Sequence, residues 1–309
     1  MQWNEEVVEV LESGRALTEL RAIGKWTAHI IQEWLEDPPD VAEPPEYRRG
    51  FMTMTEANRI LGEHPDWRPA IRGDLQMHTT WSDGHRSSRE MADHASSHGH
   101  EYAAVTDHSK ALPIANGMDE ATLLRQGAEI DGVNTQLASE GSDFRLLRAI
   151  EMNVTVEGEG DMDPEVLAGL DLVLGAFHSR LRVTDDQTPR YLAAVRNPTV
   201  NVLAHPRGRR WNSRKGLYAD WPVVFQAAAE AGTALEIDAY PDRQDLQVEL
   251  LEIARDTPDL WISIGTDAHY PDELGFIGMG VAAAIRSGFP RERILNFLPR
   301  ERILARFSD

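Results

Sequence analysis

Residues 71–84 read IRGDLQMHTTWSDG. Leu75 and Met77 alternate with more polar neighbours, and the run ends at His78 before a Ser-Asp-Gly turn. Short alternating apolar runs bounded by glycine read as β-strands. The same grammar recurs five times downstream. AAVT (103–106) runs into Asp107-His108, LLRAI (146–150) into Glu151, and LVLGAF (172–177) into His178-Ser-Arg180. VNVLA (200–204) runs into His205-Pro-Arg207, and WISIG (261–265) into Thr-Asp267-Ala-His269. A further run ends in Glu236-Ile-Asp238, without histidine. Strands are therefore expected over 71–77, 102–106, 145–151, 171–176, 200–204, 234–238 and 261–265. Helical patterns separate them: MADHASSHG (91–99), DPEVLAGL (163–170), QTPRYLAAVR (187–196), WPVVFQAAAEAG (221–232) and VELLEIARDT (248–257). Alternating βα units over the 240 residues 70–309 are close to the ~250 of an α/β barrel. A doubly wound open sheet has the same period and is the alternative.

Composition narrows the chemistry. There is no cysteine among the 309 residues, so disulfides, thiolate metal sites and thiol nucleophiles are excluded. A tightly held metal would have to be bound by His, Asp, Glu or amides. No apolar run approaches the ~20 residues that span a bilayer, and the acidic start MQWNEEVVEV is unlike a signal peptide. A cytoplasmic protein without membrane or obligate protein partner is the expectation. Thirty-one Lys and Arg against 51 Asp and Glu give a net charge of −20. That argues against a broad basic grip on nucleic acid, while leaving room for a local basic patch.

Upstream of the barrel, 5–12 and 15–36 have helical spacing, the second interrupted at Gly24, and read as two helices joined by a tight turn. DPPDVAEPPEYRRG (37–50) holds four prolines and reads as a linker. TEANRILGE (55–63) is expected to be a short helix capped by Thr55. The domains expected are an N-terminal element over 1–37, linker and short helix over 38–69, and the barrel over 70–309.

In α/β barrels the C-terminal ends of the strands build the active site. Six of the seven strands deliver a His or Glu151 to that rim, and the seventh ends in Glu236 and Asp238 without a His. Gln76 and His78, and again Asp267 and His269, lie two apart, the spacing that puts strand residues on one face. A single strand-end histidine is usually structural. A convergence of imidazoles and carboxylates is different, because such groups are costly to bury without partners, and it calls for a cation. Nitrogen and oxygen donors without sulfur suit Zn²⁺, Mn²⁺ or Fe²⁺. The candidates are too many for one ion, so two or three are expected, with Glu151 the natural bridge. Clustered metals suit phosphoester hydrolysis, since they lower the pKa of water and clamp phosphoryl oxygens.

DLQMHTTWSDG (74–84), VTDHS (105–109), AIEMN (149–153), FHSR (177–180), AHPRGR (204–209) and GTDAH (265–269), in that order, resemble the motifs of the PHP (polymerase and histidinol phosphatase) superfamily. The resemblance is closest to the C-terminal PHP domain of bacterial family X DNA polymerases, supported by HSKALPIANGM (108–118), GTALEIDAYPDRQDL (232–246) and ILNFLPRERILARF (294–307). It implies a distorted seven-stranded TIM-like barrel with a trinuclear metal site. Carried over, the ligands would be His78, Asp83, His108, Glu151, His178, His205, Asp267 and His269, with Gln76 standing where the superfamily usually has histidine. LTELRAIGKWTAHIIQEWL (17–35) resembles a helix–hairpin–helix element, which would make Gly24 and Lys25 weak DNA contacts. Its hairpin reads Ala22-Ile23-Gly24 where Gly-Ile-Gly is usual, which weakens such contact if position 22 needs positive φ. About thirty residues separate it from the barrel and hold nothing like a polymerase domain, so DNA synthesis is not expected.

The basic loop HPRGRRWNSRKG (205–216) stands out in an acidic chain. Arg207 and Arg209 there, with Arg180 and Lys110, are candidate phosphate contacts. Asp267, His269 and Arg180 are the candidate catalytic residues. His94 and His98 mimic a zinc pair at i, i+4 but are expected to face solvent, and His29, His64, His85 and His100 carry no role. The expected function is a metal-dependent phosphoesterase acting at nucleic-acid or nucleotide ends, as 3′–5′ exonuclease or 3′-phosphatase. The alternatives are a small-molecule phosphatase of the histidinol-phosphatase type and a non-catalytic nucleic-acid-binding module.

Overall fold

The computed structural model describes residues 2–307. Seven parallel strands pair in sequence order: β1 (Gly73–Met77), β2 (Tyr102–Val105), β3 (Arg145–Asn153), β4 (Leu172–Ala176), β5 (Val202–Leu203), β6 (Ala234–Asp238) and β7 (Ile262–Gly265). Sequential order without reversal excludes the doubly wound sheet. The ring closes at its C-terminal end, where His78 N–H donates to the Ala268 carbonyl at 2.8 Å and Asp267 N–H to the Gln76 carbonyl at 3.1 Å. At the other end β1 and β7 splay, and a buried side chain fills the seam. The Asn296 amide donates to the Gly73 and Ile264 carbonyls and accepts from Ile264 N–H, all within 2.8 Å. The result is a nearly closed, distorted (β/α)7 barrel.

All seven expected strands are present, with β5 trimmed to two residues. Around them run α4 (Ser88–Ser97), α5 (Glu120–Ser139), α6 (Pro164–Leu167), α7 (Thr188–Val195), α8 (Trp221–Ala231), α9 (Val248–Ala254), α10 (Ile277–Ser287) and α11 (Arg300–Arg306). The longest, α5, lies outside the helical stretches read from the sequence. Its buried positions, Leu123, Gln126, Ile130, Val133 and Leu137, nevertheless recur at helical spacing behind an Asp119 cap.

Alternation positions the functional rim. The barrel interior holds Leu75, Tyr102, Ala104, Leu147, Ala149, Leu172, Leu174, Ala176, Val202 and Ala234, plugged from below by Leu295 and Ile303. Continued by twos, these columns reach His108 on β2, Glu151 on β3, His178 on β4, and Glu236 and Asp238 on β6. Each interior face is thus apolar at the bottom and ligand-bearing at the top. On β1 a register irregularity between Asp74 and Met77 breaks the count. A bulge re-aims a side chain, and here both Leu75 and Gln76 turn inward.

Ahead of the barrel come α1 (Val7–Glu12), α2 (Lys25–Glu36) and α3 (Met54–Glu63). The helix expected from residue 15 is absent before Lys25. Only a 3-10 turn, Leu17–Glu19, forms there, because Leu20 is extended and Ala22 takes φ +66°. Val10, Leu17, Leu20, Ile23 and Ala28 form a small core of their own. The cap of α3 is Thr53 and not Thr55: its hydroxyl accepts from Glu56 N–H at 3.1 Å, leaving Thr55 free to donate to the Trp3 carbonyl. The linker is anchored on the rim loops, since the Gln244 side chain exchanges hydrogen bonds with both backbone groups of Met52.

Candidate metal centre

Glu151 is fully buried and is ringed by four imidazoles. One oxygen lies 3.0 Å from His178 Nε2 and 2.7 Å from His205 Nε2. The other lies 3.3 Å from His108 Nδ1 and 3.4 Å from His78 Nε2. Three donor groups share these residues, each with its atoms mutually within 4.8 Å: His78, Asp83, His108 and His269; His108, Glu151 and His178; and His78, Glu151 and Asp267. The donor chemistry fits divalent transition metals. The buried His108 Nδ1, which faces Glu151, and Gln76 Oε1 have no hydrogen bond and are orphans such ions would satisfy.

All nine expected ligands therefore converge. Gln76 donates from its amide to Glu151 at 3.2 Å, so its nitrogen faces that carboxylate and its oxygen is left over. Asp267 and His269 lie beyond β7, with Asp267 at φ +52°, so a loop and not strand alternation brings them together. His269 Nδ1 sits 2.7 Å from the Asp267 carbonyl, and its Nε2 lies 3.3 Å from Asp83. Arg180, His205 and Asp267 all take positive φ. Such backbone costs about 1–3 kcal/mol per residue and gathers where function over-determines geometry.

Supporting residues hold this shell in place. Asp107 accepts from Thr79 N–H, Thr79 and Ser82 hydroxyls and the Gln126 amide, fixing the turn that carries His78 and Asp83. Gly84 is required in that turn, because a Cβ would come within 2.5 Å of the His78 backbone. Burial would raise the Glu151 pKa, but the His108 and His205 imidazoles and two histidine hydrogen bonds hold it well below the usual carboxylate range. Glu236 and Asp238 are pushed the other way, first by burial and then by neighbouring carboxylates. For His269 burial works downward, and the Asp83 hydrogen bond with the Asp267 charge raises it to about 9.

Sequence reasoning missed Arg243, whose Nε lies 3.3 Å from Asp267 and 3.5 Å from Asp238. It sits in an irregular loop after β6, and its only signal was DAYPDRQDL, a stretch that carried resemblance and no chemistry. The candidate phosphate contacts are placed unequally. Arg180 is exposed at the rim. Lys110 is tied to Glu120 at 2.5 Å. Arg209 is buried, stacked 3.8 Å over Phe51, and donates to the Arg49 and Gly50 carbonyls. Arg207 donates to Gln247 and to the Leu217 carbonyl. His94 and His98 are exposed, and His85 stacks 4.1 Å from Tyr270. Gly24 begins α2 as its N-cap, without a side-chain cap.

No family model matches the chain. It is 38% identical over 227 residues to the DNA polymerase/3′-5′ exonuclease PolX of Bacillus subtilis, covering 73% of this chain but only 39% of that relative. The probable phosphatase YcdX of Escherichia coli is 27% identical over 238 residues, 74% of this chain and 90% of that protein. In fold the chain is similar to the crystal structure of histidinol phosphate phosphatase from Lactococcus lactis, complexed with Zn, L-histidinol and phosphate. The TM-score is 0.51 at 16% identity, covering 71% of this chain and 95% of that one. Six ordered motifs, a seven-stranded barrel with a histidine–carboxylate rim and these relatives agree: the chain belongs to the PHP superfamily.

Proposed function

We propose that the chain is a metal-dependent phosphoesterase that hydrolyses phosphate esters at nucleic-acid or nucleotide ends. The observation that carries this reading is Glu151, a buried carboxylate with both oxygens facing pairs of imidazoles. His78, Asp83, His108, Glu151, His178, His205, Asp267 and His269 would hold two or three divalent ions. Ions there would supply Lewis acidity toward a phosphoryl oxygen and toward water.

The remaining roles belong to the chain's own groups. Arg180 is exposed beside His178 and has no side-chain partner among the described residues, so it is free to donate to phosphate oxygens in bidentate fashion. His269 is partly exposed at the rim and Asp267 is buried beside it, and these two are the groups for proton transfer. Arg243 holds Asp267 by its second oxygen and so fixes the direction of the first. Catalysis belongs to the barrel, residues 70–309.

The similarity to a polymerase with 3′-5′ exonuclease activity favours nucleic-acid or nucleotide ends. The N-terminal element adds little to that. Residues 1–36 carry seven carboxylates and three basic side chains, of which Arg15 is paired with Glu5 and Glu19. Ala22 takes the positive φ that glycine would take without strain. Short ends and mononucleotides are thus better substrates than long duplexes. The test is a turnover screen of Zn- or Mn-loaded protein against 3′-phosphorylated oligonucleotides, mononucleotides and histidinol phosphate. Release of phosphate or nucleotides from the first two is expected. Turnover of histidinol phosphate alone would assign the site to small-molecule chemistry.

A further inference from the structure

The linker and the loop that runs on from His205 after β5 enclose a cavity of about 100 Å³. A single water needs roughly 10–15 Å³ of such space, so the cavity has room for several waters or one tetrahedral oxyanion. Five cationic side chains line it, Arg49, Arg207, Arg209, Arg214 and Lys215, against the carboxylates of Glu46 and Glu249.

The cations at its core, Arg207, Arg209 and Arg214, outnumber the carboxylates near them, Asp245 and Glu249. Arg49 and Lys215, at the mouth, pair with Glu43 and Glu46 at 3.6 Å. Arg207, Arg209 and Arg214 form no ion pair among the described residues. Arg207 and Arg209 converge on one neutral acceptor, Gln247 Oε1. Arg214 Nε is buried without any hydrogen bond. The nearby buried carboxylate, Asp245, accepts from the Arg209 backbone N–H and from none of the three guanidinium groups. Arg209 is buried and Arg207 and Arg214 are half-buried, and an excess of cations held partly out of water draws a counter-charge.

The backbone keeps the space open. Residues 210 and 214 exchange backbone hydrogen bonds at 2.9 Å, turning Arg214 back toward the linker. Gly216 takes φ +88°, and a Cβ there would stand 3.0 Å from the Arg207 and Arg209 Cβ atoms and 3.1 Å from Arg207 Nε. The opposite wall is the linker at Tyr47 to Phe51, fixed by Arg209 on the Arg49 and Gly50 carbonyls and by Asn212 N–H on the Tyr47 carbonyl.

We propose that this cavity is a second oxyanion subsite, taking a phosphate group other than the one hydrolysed. The cavity and its excess of cations stand on their own, and the assignment of the group to the substrate rests on the phosphoesterase reading above. The chemistry is that of a phosphate monoester or diester, and the source is either free phosphate or the second phosphate of a nucleotide substrate. Arg207 links the subsite to the centre, two residues after His205.

The probe is tungstate, a phosphate analogue located by anomalous diffraction in crystals of the metal-loaded protein. We expect one peak at the Glu151 cluster and a second between Gly50 and Arg214. Arg214→Glu should abolish the second and keep the first, and Arg214→Gln serves the same purpose should the charge reversal fail to fold. Absence of the second peak in the unaltered protein, or its persistence in the variant, overturns the proposal. Calorimetric titration separates the sources. A nucleoside 3′,5′-bisphosphate binding roughly tenfold or more tightly than the 5′-monophosphate, an advantage lost in Arg214→Glu, assigns the subsite to the substrate. Equal affinities alongside the second peak assign it to free phosphate. A protein that hydrolyses no ester but shows the second peak would keep the subsite and lose the phosphoesterase reading.

Discussion

The two sides of Glu151 differ. On one, His108, His178 and His205 present ring nitrogens to the carboxylate, and Asp83 and His269 complete a neighbouring group around His78. On the other, position 76 is an amide with its nitrogen turned to Glu151, and Asp267 is shared with the Arg243 guanidinium. An amide oxygen is a poorer donor than imidazole to zinc-like ions, and a fixed cation beside Asp267 repels another. One barrel rim would thus offer a complete ligand set and an incomplete one, joined at Glu151 and His78. The number of ions and their affinities should divide along that line.

The largest effect is expected where the sides meet. Glu151→Gln should lower metal content on both sides and reduce turnover by well over ~100-fold, since loss of a mere outer-shell partner costs about 10–100-fold. Unchanged metal content by elemental analysis would mean that Glu151 does not bridge. His94→Ala, on an exposed helix face, should change neither quantity.

The pH dependence is next and belongs to the complete side. Without metal, His269 is held as a cation up to about pH 9. A group with a raised folded pKa stabilises the fold below its unfolded value of ~6.5 and loses that contribution as pH rises through the folded value. Metal-free protein should therefore lose thermal stability between pH 6.5 and 9. Metal uptake, which must displace the proton, should strengthen by up to ~10-fold per pH unit over the same range. Calorimetry in two buffers of different ionisation enthalpy would report the released proton, and its absence would remove His269 from the ligand set.

The smaller effect sharpens the contrast itself. Gln76→His should tighten the ion on the incomplete side by roughly tenfold, the scale on which single ligand-shell changes act, with little change elsewhere. A short contact from Gln76 Oε1 to a fully occupied ion in a crystal structure would erase the distinction between the sides.

The complete side was legible in the sequence because its parts are local. Each imidazole or carboxylate closes a short apolar run or lies a few residues beyond one, and alternation carries His108, Glu151 and His178 from the barrel floor to the rim. The incomplete side was half legible. Gln76 announced itself by breaking a His-x-His pattern, but Arg243 enters from a loop whose path no periodicity encodes. Asn296, which closes the far seam, is likewise unreadable, since its partners Gly73 and Ile264 are distant in the chain. The basic loop shows the limit of reading charge from sequence. Arg207 and Arg209 look like free cations in HPRGRR, yet Arg209 spends its donors on the linker backbone, and only packing reveals that.

The most direct test is the metal content of the purified, reconstituted protein, measured by elemental analysis beside Glu151→Gln. Two or three Zn, Mn or Fe ions per chain, falling sharply in the variant, are predicted. No more than trace metal in the unaltered protein after reconstitution would contradict the account.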